Sequence, residues 1–233
     1  MLGIARATRG LDLPAEPAHP FATDITDDSR AVAKGSIFVA RRGGTHDGNA
    51  YIPAAIAAGA SAIVTDDPDR FAAASDAPSD VPIVLVDDAA RDGARLAERF
   101  FGDPSRNLHI SAVTGTNGKT TVATLTRQLL QGVGVRCGLV GTIEIAGVGA
   151  GHRATLTTPG AIELSRTLAG MVADGCTACA LEASSHALDQ GRLAAIHVDA
   201  AAYTNLTGDH LDYHGTMDRY ADAKAILFER LDP

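Results

Sequence analysis

The stretch from Leu108 to Thr121 constrains the fold of this chain more than any other. Residues 108–113 are apolar or tolerant of β structure, which predicts a buried strand. Residues 119–131 then carry apolar side chains at helical spacing, at Val122, Leu125, Leu129 and Leu130. Between strand and helix, Gly115 and Gly118 allow backbone N–H groups to face an anion, and the new helix adds its positive N-terminal end. The order of these features predicts a phosphate-binding loop in an α/β domain.

Two side chains at the end of this loop suit a nucleoside triphosphate. Lys119 supplies a mobile positive charge for the outer phosphates, and Thr120 supplies a hydroxyl for the magnesium ion that accompanies them. The usual P-loop spacing asks for glycine at position 113, where this chain has Val113. The loop therefore differs from that of ordinary P-loop kinases and GTPases. An ordinary strand-to-helix turn that contains Gly-Lys-Thr is the alternative interpretation.

Composition and charge exclude several classes of protein. With 233 residues and 45% hydrophobic content, the chain can form one large domain or two ordinary ones, so disordered and collagen-like classes are excluded. The net charge of −8 argues against a broad nucleic-acid-binding surface. The sequence has no apolar run of about 18 residues and no signal-peptide pattern at its start, which predicts a cytoplasmic protein without a membrane segment. Its three cysteines form no even disulfide framework, and Cys176 and Cys179, in a predicted strand, would face opposite sides rather than share a site.

Two α/β domains are predicted. From Asp24 onward, short apolar strands alternate with alanine-rich helices as far as Phe101. The polar segment at residues 102–106 marks the boundary, so the domains are expected to cover residues 1–105 and 106–233. In the second domain, polar clusters follow the predicted strands at residues 137–142, 178–181 and 198–203. Ligands of an open parallel sheet collect past the carboxyl ends of its strands, so these clusters are expected on the same edge as the phosphate loop.

Four polar side chains in the second domain are candidates for chemistry. Glu182 ends an apolar strand, where a magnesium ion near the phosphate loop would be its partner; a helix cap or a salt bridge is the alternative. His210 and His214 have the spacing of a helical zinc pair, but the glutamate of metalloproteases is absent, so zinc is the weaker interpretation. Lys224 lies on a predicted helix, where a solvated or snorkelling lysine is the default.

The combined motifs resemble those of the Mur ligases, from about residue 24 to the end of the chain. The loop at residues 114–121 is similar to the ATP loop of that family, which has the same short spacing, so Val113 agrees with it. Further segments resemble the branch that extends UDP-MurNAc-dipeptide, at residues 157–159, 182–188 and 209–215. Other segments look like its uridine-nucleotide domain, at residues 28–30, 35–40 and 46–48. The implied fold is a small α/β UDP-sugar-binding domain, followed by a truncated P-loop ATPase domain with a mostly parallel sheet.

The resemblance implies an enzyme that forms an amide bond in peptidoglycan synthesis, on which the cell wall, cell shape and cell division depend. A free amino acid, diaminopimelate or lysine, is joined to the D-glutamate of UDP-MurNAc-L-Ala-D-Glu at the expense of ATP. Because a carboxylate is a poor electrophile, the terminal phosphoryl group of ATP is first transferred to it, and the incoming amine attacks the resulting acyl phosphate. Charge builds on the transferring group, so catalysis is largely positioning and electrostatics.

The same resemblance implies a set of site residues. Those that hold ATP are Gly115, Thr116, Asn117, Gly118, Lys119, Thr120 and Thr121. Those that match the uridine-nucleotide loops are Ser29, Thr45 and His46, and those that match the muramyl-peptide site are Thr157, Thr158, Ser184, Gln190 and Arg192. The implied catalytic residues are Lys119, Glu182, His210 and Lys224. Thr120 and Glu182 belong to the Mg²⁺ at the ATP phosphates, His210 belongs to a second Mg²⁺, and Lys224 is carbamylated, which turns a cation into an anion that helps to hold the metal.

The chain departs from the family pattern in two respects. The family often has an arginine at the position of Gly208, so any role of that arginine is absent. The rest of the central domain and a closing third domain are expected after Pro233, so the 233-residue chain is expected to be a poor or inactive ligase by itself. Two other classes stay open: a nucleotide-binding scaffold module, which binds without turnover, and a P-loop kinase or NTPase, which needs no amine. The amino acid that is added and the oligomeric state are not predicted.

Overall fold

The computed structural model describes residues 22–43, 47–75, 80–147, 152–153 and 156–231. Two predicted substrate residues, Thr45 and His46, lie outside the described residues. The chain divides into two compact units, Met1–Leu96 and Ala97–Pro233. This division lies before the predicted domain boundary, which follows residue 105. The assignment of residues 1–105 and 106–233 to two domains therefore stays a prediction.

The first unit contains a parallel sheet of four strands. In chain order its strands are β1 (Asp24–Thr26), β2 (Ser36–Ala40), β3 (Ala62–Thr65) and β4 (Ile83–Leu85), and the same order holds across the sheet. Its helices are α1 (Ile52–Ala57) and α2 (Pro68–Ser75), and α3 (Ala89–Phe100) begins in this unit. Short 3-10 helices occur at Ser29–Ala31 and Gly48–Tyr51. Phe38, Ile52 and Ile63 are buried together between the sheet and α1, since alternate residues of a strand face the same side.

The second unit contains a mixed sheet of six strands in the order β10-β5-β9-β6-β7-β8. The strands are β5 (His109–Thr114), β6 (Cys137–Val140), β7 (Glu144–Ala146), β8 (His152–Arg153), β9 (Ala178–Glu182) and β10 (Ala200–Tyr203). The helices are α4 (Lys119–Gly132), α5 (Ala161–Ala173), α6 (Ser185–Asp189), α7 (Leu211–His214) and α8 (Met217–Ala225), with 3-10 turns at Pro104–Asn107 and Phe228–Arg230. Strands β10, β5, β9 and β6 are parallel, whereas β7 and β8 pair antiparallel. The predicted α/β class with mostly parallel sheets is confirmed.

The strand register brings three chain segments to one edge of the second sheet. Val113 of β5 pairs with Glu182 of β9, and Thr114 pairs with Tyr203 of β10. Because these three strands are parallel, the segments that follow them all leave from the same edge. The phosphate loop and the polar clusters after Glu182 and Tyr203 therefore meet, as the sequence predicts.

The apolar face of α4 differs from the one that the sequence suggests. The helix begins at Lys119, as predicted, but Leu125 is 52% exposed and Leu129 is 72% exposed. The side of α4 that packs on the sheet carries Ala123, which is buried, with Val122 and Leu130 half-buried beside it. Ala123 and Leu130 lie two helical turns apart on one side, and Leu125 and Leu129 are rotated away from it.

The predicted strand that contains both Cys176 and Cys179 is shorter than expected. Strand β9 begins at Ala178, so only Cys179 belongs to it. Cys176 instead lies just after α5, and its backbone N–H donates to Met171 O of that helix at 2.9 Å. Both thiols are free and buried, and burial raises the pKa of each. Within the described residues, no helix is both long enough and apolar enough to span a membrane.

Candidate active site

The loop between β5 and α4 is shaped to receive an anion. Gly115 and Gly118 have φ angles of +144° and +86°, which favour glycine, and a Cβ on Gly115 would collide with the Thr204 hydroxyl. Helix α4 starts directly after the loop, so its unpaired N–H groups and positive end are available to an anion. Lys119 folds back over the loop, and its Nζ donates to Gly115 O at 2.9 Å and to Thr116 O at 3.0 Å. The positive charge of Lys119 therefore lies beside the predicted phosphate position.

The segment that follows β10 forms hydrogen bonds with the backbone of this loop. Asn205 accepts from Thr116 N through its carbonyl at 2.9 Å and from Asn117 N through Oδ1 at 3.1 Å. The Thr204 hydroxyl and the Asn205 amide both donate to Asn117 O, at 2.6 Å and 3.1 Å. Neither Thr204 nor Asn205 is among the predicted site residues. The only sequence signal for them is their position in a polar run directly after a strand of the sheet.

Glu182 is buried at the end of β9, 1% exposed, and three hydrogen bonds hold its carboxylate. Thr120 Oγ1 donates to Oε2 at 2.9 Å, and Thr142 donates to Oε1 through its N–H at 2.8 Å and to Oε2 through its hydroxyl at 3.0 Å. The helix-cap interpretation of Glu182 is wrong, because Ser184 caps α6 by accepting from Ala187 N. The structure thus joins Thr120 and Glu182, as predicted, and adds Thr142, whose only sequence signal is its place just after β6.

Lys224 is buried, with 1% of its surface exposed, so the default interpretation of a solvated or snorkelling lysine is wrong. Its Nζ donates to Gly115 O at 2.9 Å and lies 4.2 Å from the centre of the Tyr220 ring. Desolvation, helped by the nearby charge of Lys119 and opposed by Asp209, lowers the pKa of Lys224 to about 8. Burial also lowers the pKa of Lys119, against the attraction of Glu182 and Asp209. Lys119 Nζ and Lys224 Nζ both donate to the same carbonyl oxygen, Gly115 O.

Replacing Lys224 with methionine is expected to stabilise the chain near neutral pH, and the gain should shrink as the pH rises. Between about pH 8 and the ordinary lysine value of 10.5 the unfolded chain binds more protons at this position than the folded chain, so the stability of the unmodified chain increases with pH. The difference in unfolding free energy between the two chains should shrink by about 3 kcal/mol at most across this window. Urea unfolding at both ends of the window measures the difference. A difference that stays constant would contradict the prediction.

A cluster of rings borders the lysine site. His186 lies 4.8 Å from His210, 4.2 Å from Tyr213 and 5.5 Å from His214, measured between ring centres. His210, at the start of α7, has a left-handed φ of 52°. Nε2 of His214 lies 3.0 Å from the Ser185 hydroxyl, and burial lowers the pKa values of His186 and His214. Among the residues that the structure describes, no three histidine, cysteine or acidic side chains are grouped so that they could hold a metal ion.

The predicted muramyl-peptide residues are brought together beside Glu182. Thr158 Oγ1 donates to Glu182 O at 2.7 Å and accepts from Ser184 N at 3.2 Å. Arg192 donates to Thr158 O at 2.7 Å and holds Gln190 Oε1 with two N–H groups, at 3.1 Å and 2.7 Å. The Thr157 hydroxyl lies 3.1 Å from the Thr142 hydroxyl, and because the single proton of Thr142 goes to Glu182, Thr157 donates this hydrogen bond. The end of β9 thus lies between the phosphate loop and this second polar group.

In the first unit, Ser29 begins the 3-10 helix after β1, and the Asp28 carboxylate caps that helix. Asn49 is fully buried, accepts from the Thr65 hydroxyl at 2.6 Å, and donates to Asp47 Oδ1 at 3.0 Å. Asn49 was not predicted, and a buried asparagine in a glycine-rich loop leaves no distinctive sequence signal. The hydrogen bond from Thr65 joins the 3-10 helix at Gly48–Tyr51 to the end of β3.

Two family models match the chain. One, described as Mur ligase middle domain, matches residues 113–233, and the other, described as Mur ligase family, catalytic domain, matches residues 23–101. Two curated relatives are UDP-N-acetylmuramoyl-L-alanyl-D-glutamate–2,6-diaminopimelate ligases. The protein from Pseudomonas aeruginosa is 46% identical over 205 residues, which cover 88% of this chain and 42% of the relative. The protein from Geobacillus kaustophilus is 46% identical over 213 residues, which cover 91% and 42%.

Solved structures agree with these matches. A structure of a UDP-N-acetylmuramoyl-L-alanyl-D-glutamate–2,6-diaminopimelate ligase superposes with a TM-score of 0.78 at 32% identity and covers 98% of this chain and 45% of that one. A MurF ligase from Thermotoga maritima, solved in complex with ADP, has a TM-score of 0.60 at 22% identity and covers 91% and 44%, which shows a shared fold. The chain therefore spans less than half the length of these relatives.

Proposed function

The chain belongs to the Mur ligase family, and we propose that it supplies the ATP site and the UDP-MurNAc-dipeptide site of an ATP-dependent ligase that adds an amino acid to UDP-MurNAc-L-Ala-D-Glu. In this proposal the second unit holds ATP and the muramyl-peptide, and the first unit holds the uridine nucleotide through Ser29, Thr45 and His46. The cytoplasmic location stays a prediction from the sequence.

The observation that carries the proposal is the position of Glu182. Its carboxylate bonds Thr120 of the phosphate loop, while its backbone carbonyl bonds Thr158 of the group that contains Arg192. A reaction that moves a phosphoryl group onto a carboxylate requires these two substrates to lie side by side. Glu182 thus bonds residues of both predicted sites, which supports the proposal that the two substrates bind next to each other.

Each residue of the site has a role in this proposal. The loop N–H groups and Lys119 bind the phosphates of ATP and balance the charge that develops during transfer. Arg192, whose planar guanidinium can bind a carboxylate at two points, orients the muramyl-peptide together with Thr157, Thr158, Ser184 and Gln190.

The residues present also fit magnesium. The Thr120 hydroxyl and the Glu182 carboxylate are hard oxygen donors that share one hydrogen bond, and Gly141 leaves room for the carboxylate because a Cβ there would collide with Glu182 Oε1. In our proposal Thr120 and Glu182 hold one Mg²⁺, and His210 with carbamylated Lys224 hold a second. Bound magnesium would neutralise phosphate charge during the transfer.

Phosphate release tests the proposed function. We expect a chain extended to the length of its relatives to release phosphate from ATP only when UDP-MurNAc-L-Ala-D-Glu and diaminopimelate or lysine are both present. Glu182→Gln should lower this rate by about a hundredfold, because the carboxylate that is proposed to hold Mg²⁺ beside the phosphates becomes a neutral amide. The matched control is Glu163→Gln, since Glu163 lies on α5 with its side chain 58% exposed. Phosphate release at the same rate without the muramyl-peptide and the amine would overturn the proposal and favour a simple NTPase.

A further inference from the structure

Tyr220 has a contact that the proposed reaction does not use. Its ring is among the largest fully buried side chains of the chain, at 1% exposure. Its hydroxyl lies 3.2 Å from Thr116 Oγ1, within the loop predicted to hold ATP. Tyr220 and Thr116 are 104 positions apart, so only the tertiary structure brings them together.

The hydrogen bonds at Thr116 fix the direction of this contact. A threonine hydroxyl has one proton and two lone pairs. Thr116 Oγ1 donates to Thr207 O at 3.1 Å and accepts from Thr207 N at 3.0 Å. Its proton is therefore committed, and the remaining lone pair accepts from the Tyr220 hydroxyl. All three positions of this hydroxyl are occupied, which makes Thr116 the point where α8, the loop and the segment after β10 are joined.

Lys224 makes a second contact from the same side of α8. It follows Tyr220 by four positions, so both side chains lie on one face of the helix. Lys224 Nζ bonds Gly115 O at 2.9 Å, next to Thr116, and packs on the Tyr220 ring at 4.2 Å. In the proposed function Lys224 becomes a carbamate that faces magnesium, and its nitrogen then has one neutral N–H in place of the three of a charged ammonium, so its hydrogen bond to Gly115 O is weaker. The bond between Tyr220 and Thr116 then holds α8 to the loop.

We infer that Tyr220 is a positioning residue: through Thr116 it ties α8 to the ATP loop and so determines where Lys224 stands relative to that loop. The inference rests on the proposed function for its consequence at Lys224. The hydrogen bond between Tyr220 and Thr116 belongs to this chain, and its effect can be measured without catalytic turnover.

A double-mutant cycle on ATP affinity tests the tie in this chain. Tyr220→Phe keeps the ring and removes only the hydroxyl, so it should weaken ATP binding about fivefold. The same change should have no further effect in a Thr116→Val background, where the acceptor is gone, but should keep its fivefold effect in a Thr116→Ser background, where a hydroxyl remains. Tyr51→Phe, at an exposed tyrosine of the first unit, is the matched control and should leave ATP affinity unchanged. Equal effects of Tyr220→Phe in the Val and Ser backgrounds would overturn the inference.

Hydrogen exchange decides the same question without ATP. The N–H groups of Thr116 and Asn117 are hydrogen-bonded to Asn205, so they are expected to exchange slowly. Tyr220→Phe should speed their exchange several-fold while the amides of β9 keep their rates. Equal acceleration throughout the second unit would show a merely structural role and overturn the inference. If the unmodified chain fails to bind ATP, the proposed function fails, and the exchange rates alone decide the inference.

Discussion

Replacing Lys119 with methionine is expected to weaken the binding of ATP to this chain by about a hundredfold, the size expected when one charge of a close ion pair is removed. Its Nζ lies over the loop, bonded to Gly115 O and Thr116 O, so its charge stands where the phosphates are proposed to bind. Burial lowers its pKa, and the neighbouring Glu182 and Asp209 act in the opposite direction. Methionine has a similar length without the charge, so the substitution isolates the electrostatic contribution. Calorimetric titration with ATP and Mg²⁺ measures the affinity.

The chain offers a matched control for this substitution. It has three lysines, Lys34, Lys119 and Lys224, and Lys34 is exposed in the first unit. Lys34→Met should therefore leave ATP affinity unchanged. An affinity of Lys119→Met within about threefold of the unmodified chain would contradict the phosphate-loop assignment, since a phosphate-binding lysine contributes more than that. It would favour the ordinary strand-to-helix turn.

Replacing Lys224 with alanine is expected to abolish amide formation in a chain extended to the length of its relatives, with a loss of about a thousandfold or more. Burial and Lys119 lower the pKa of this lysine to about 8. At neutral pH about one amine in ten is then uncharged, against about one in a few thousand for an ordinary lysine, so the free amine that carbamylation requires is available. The ATP-dependent tripeptide product, separated by chromatography, measures the loss.

The variants Lys224→Arg and Lys224→Met distinguish a carbamylated Lys224 from a Lys224 that acts as a cation. Lys224→Arg keeps a positive charge but cannot form the carbamate, so it should be as inactive as Lys224→Ala. If Lys224 acted as a cation, the arginine variant would keep much of the activity, and full activity of any of these variants would refute the role. Lys224→Met, which is expected to be at least as stable as the unmodified chain near neutral pH, serves as the folded control.

Much of the fold could be predicted because its signals are local. The apolar stretch before the loop, the glycines within it and the helix after it lie within residues 108–131, and the structure has β5, the loop and α4 in that order. Glu182 was expected at the end of a strand and stands there. The face of α4 was less predictable, because which side of a helix is buried depends on the elements it meets. Ala123 and Leu130 pack on the sheet, and Leu125 and Leu129 do not.

The structure corrected the interpretation of two residues, Lys224 and Glu182, through contacts that the sequence does not show. A solvated or snorkelling lysine was the default interpretation of Lys224, which lies among apolar neighbours on a predicted helix, yet its Nζ bonds Gly115 O, 109 positions earlier in the chain. Ser184, rather than Glu182, caps α6. Thr142, Asn205 and Tyr220 hold the site together, and no short-range pattern marks any of them.

By itself the sequence determined the phosphate loop, its place between a strand and a helix, and the order of the polar clusters after the strands, because backbone conformation and periodicity are set by near neighbours. Only the tertiary structure decided which of those groups meet. The parallel register of β10, β5 and β9 puts the ends of the three strands side by side, and the packing of α8 then buries Tyr220 and Lys224 against the loop. Burial and the charges of spatial neighbours are properties of that arrangement, and they lower the pKa of Lys224.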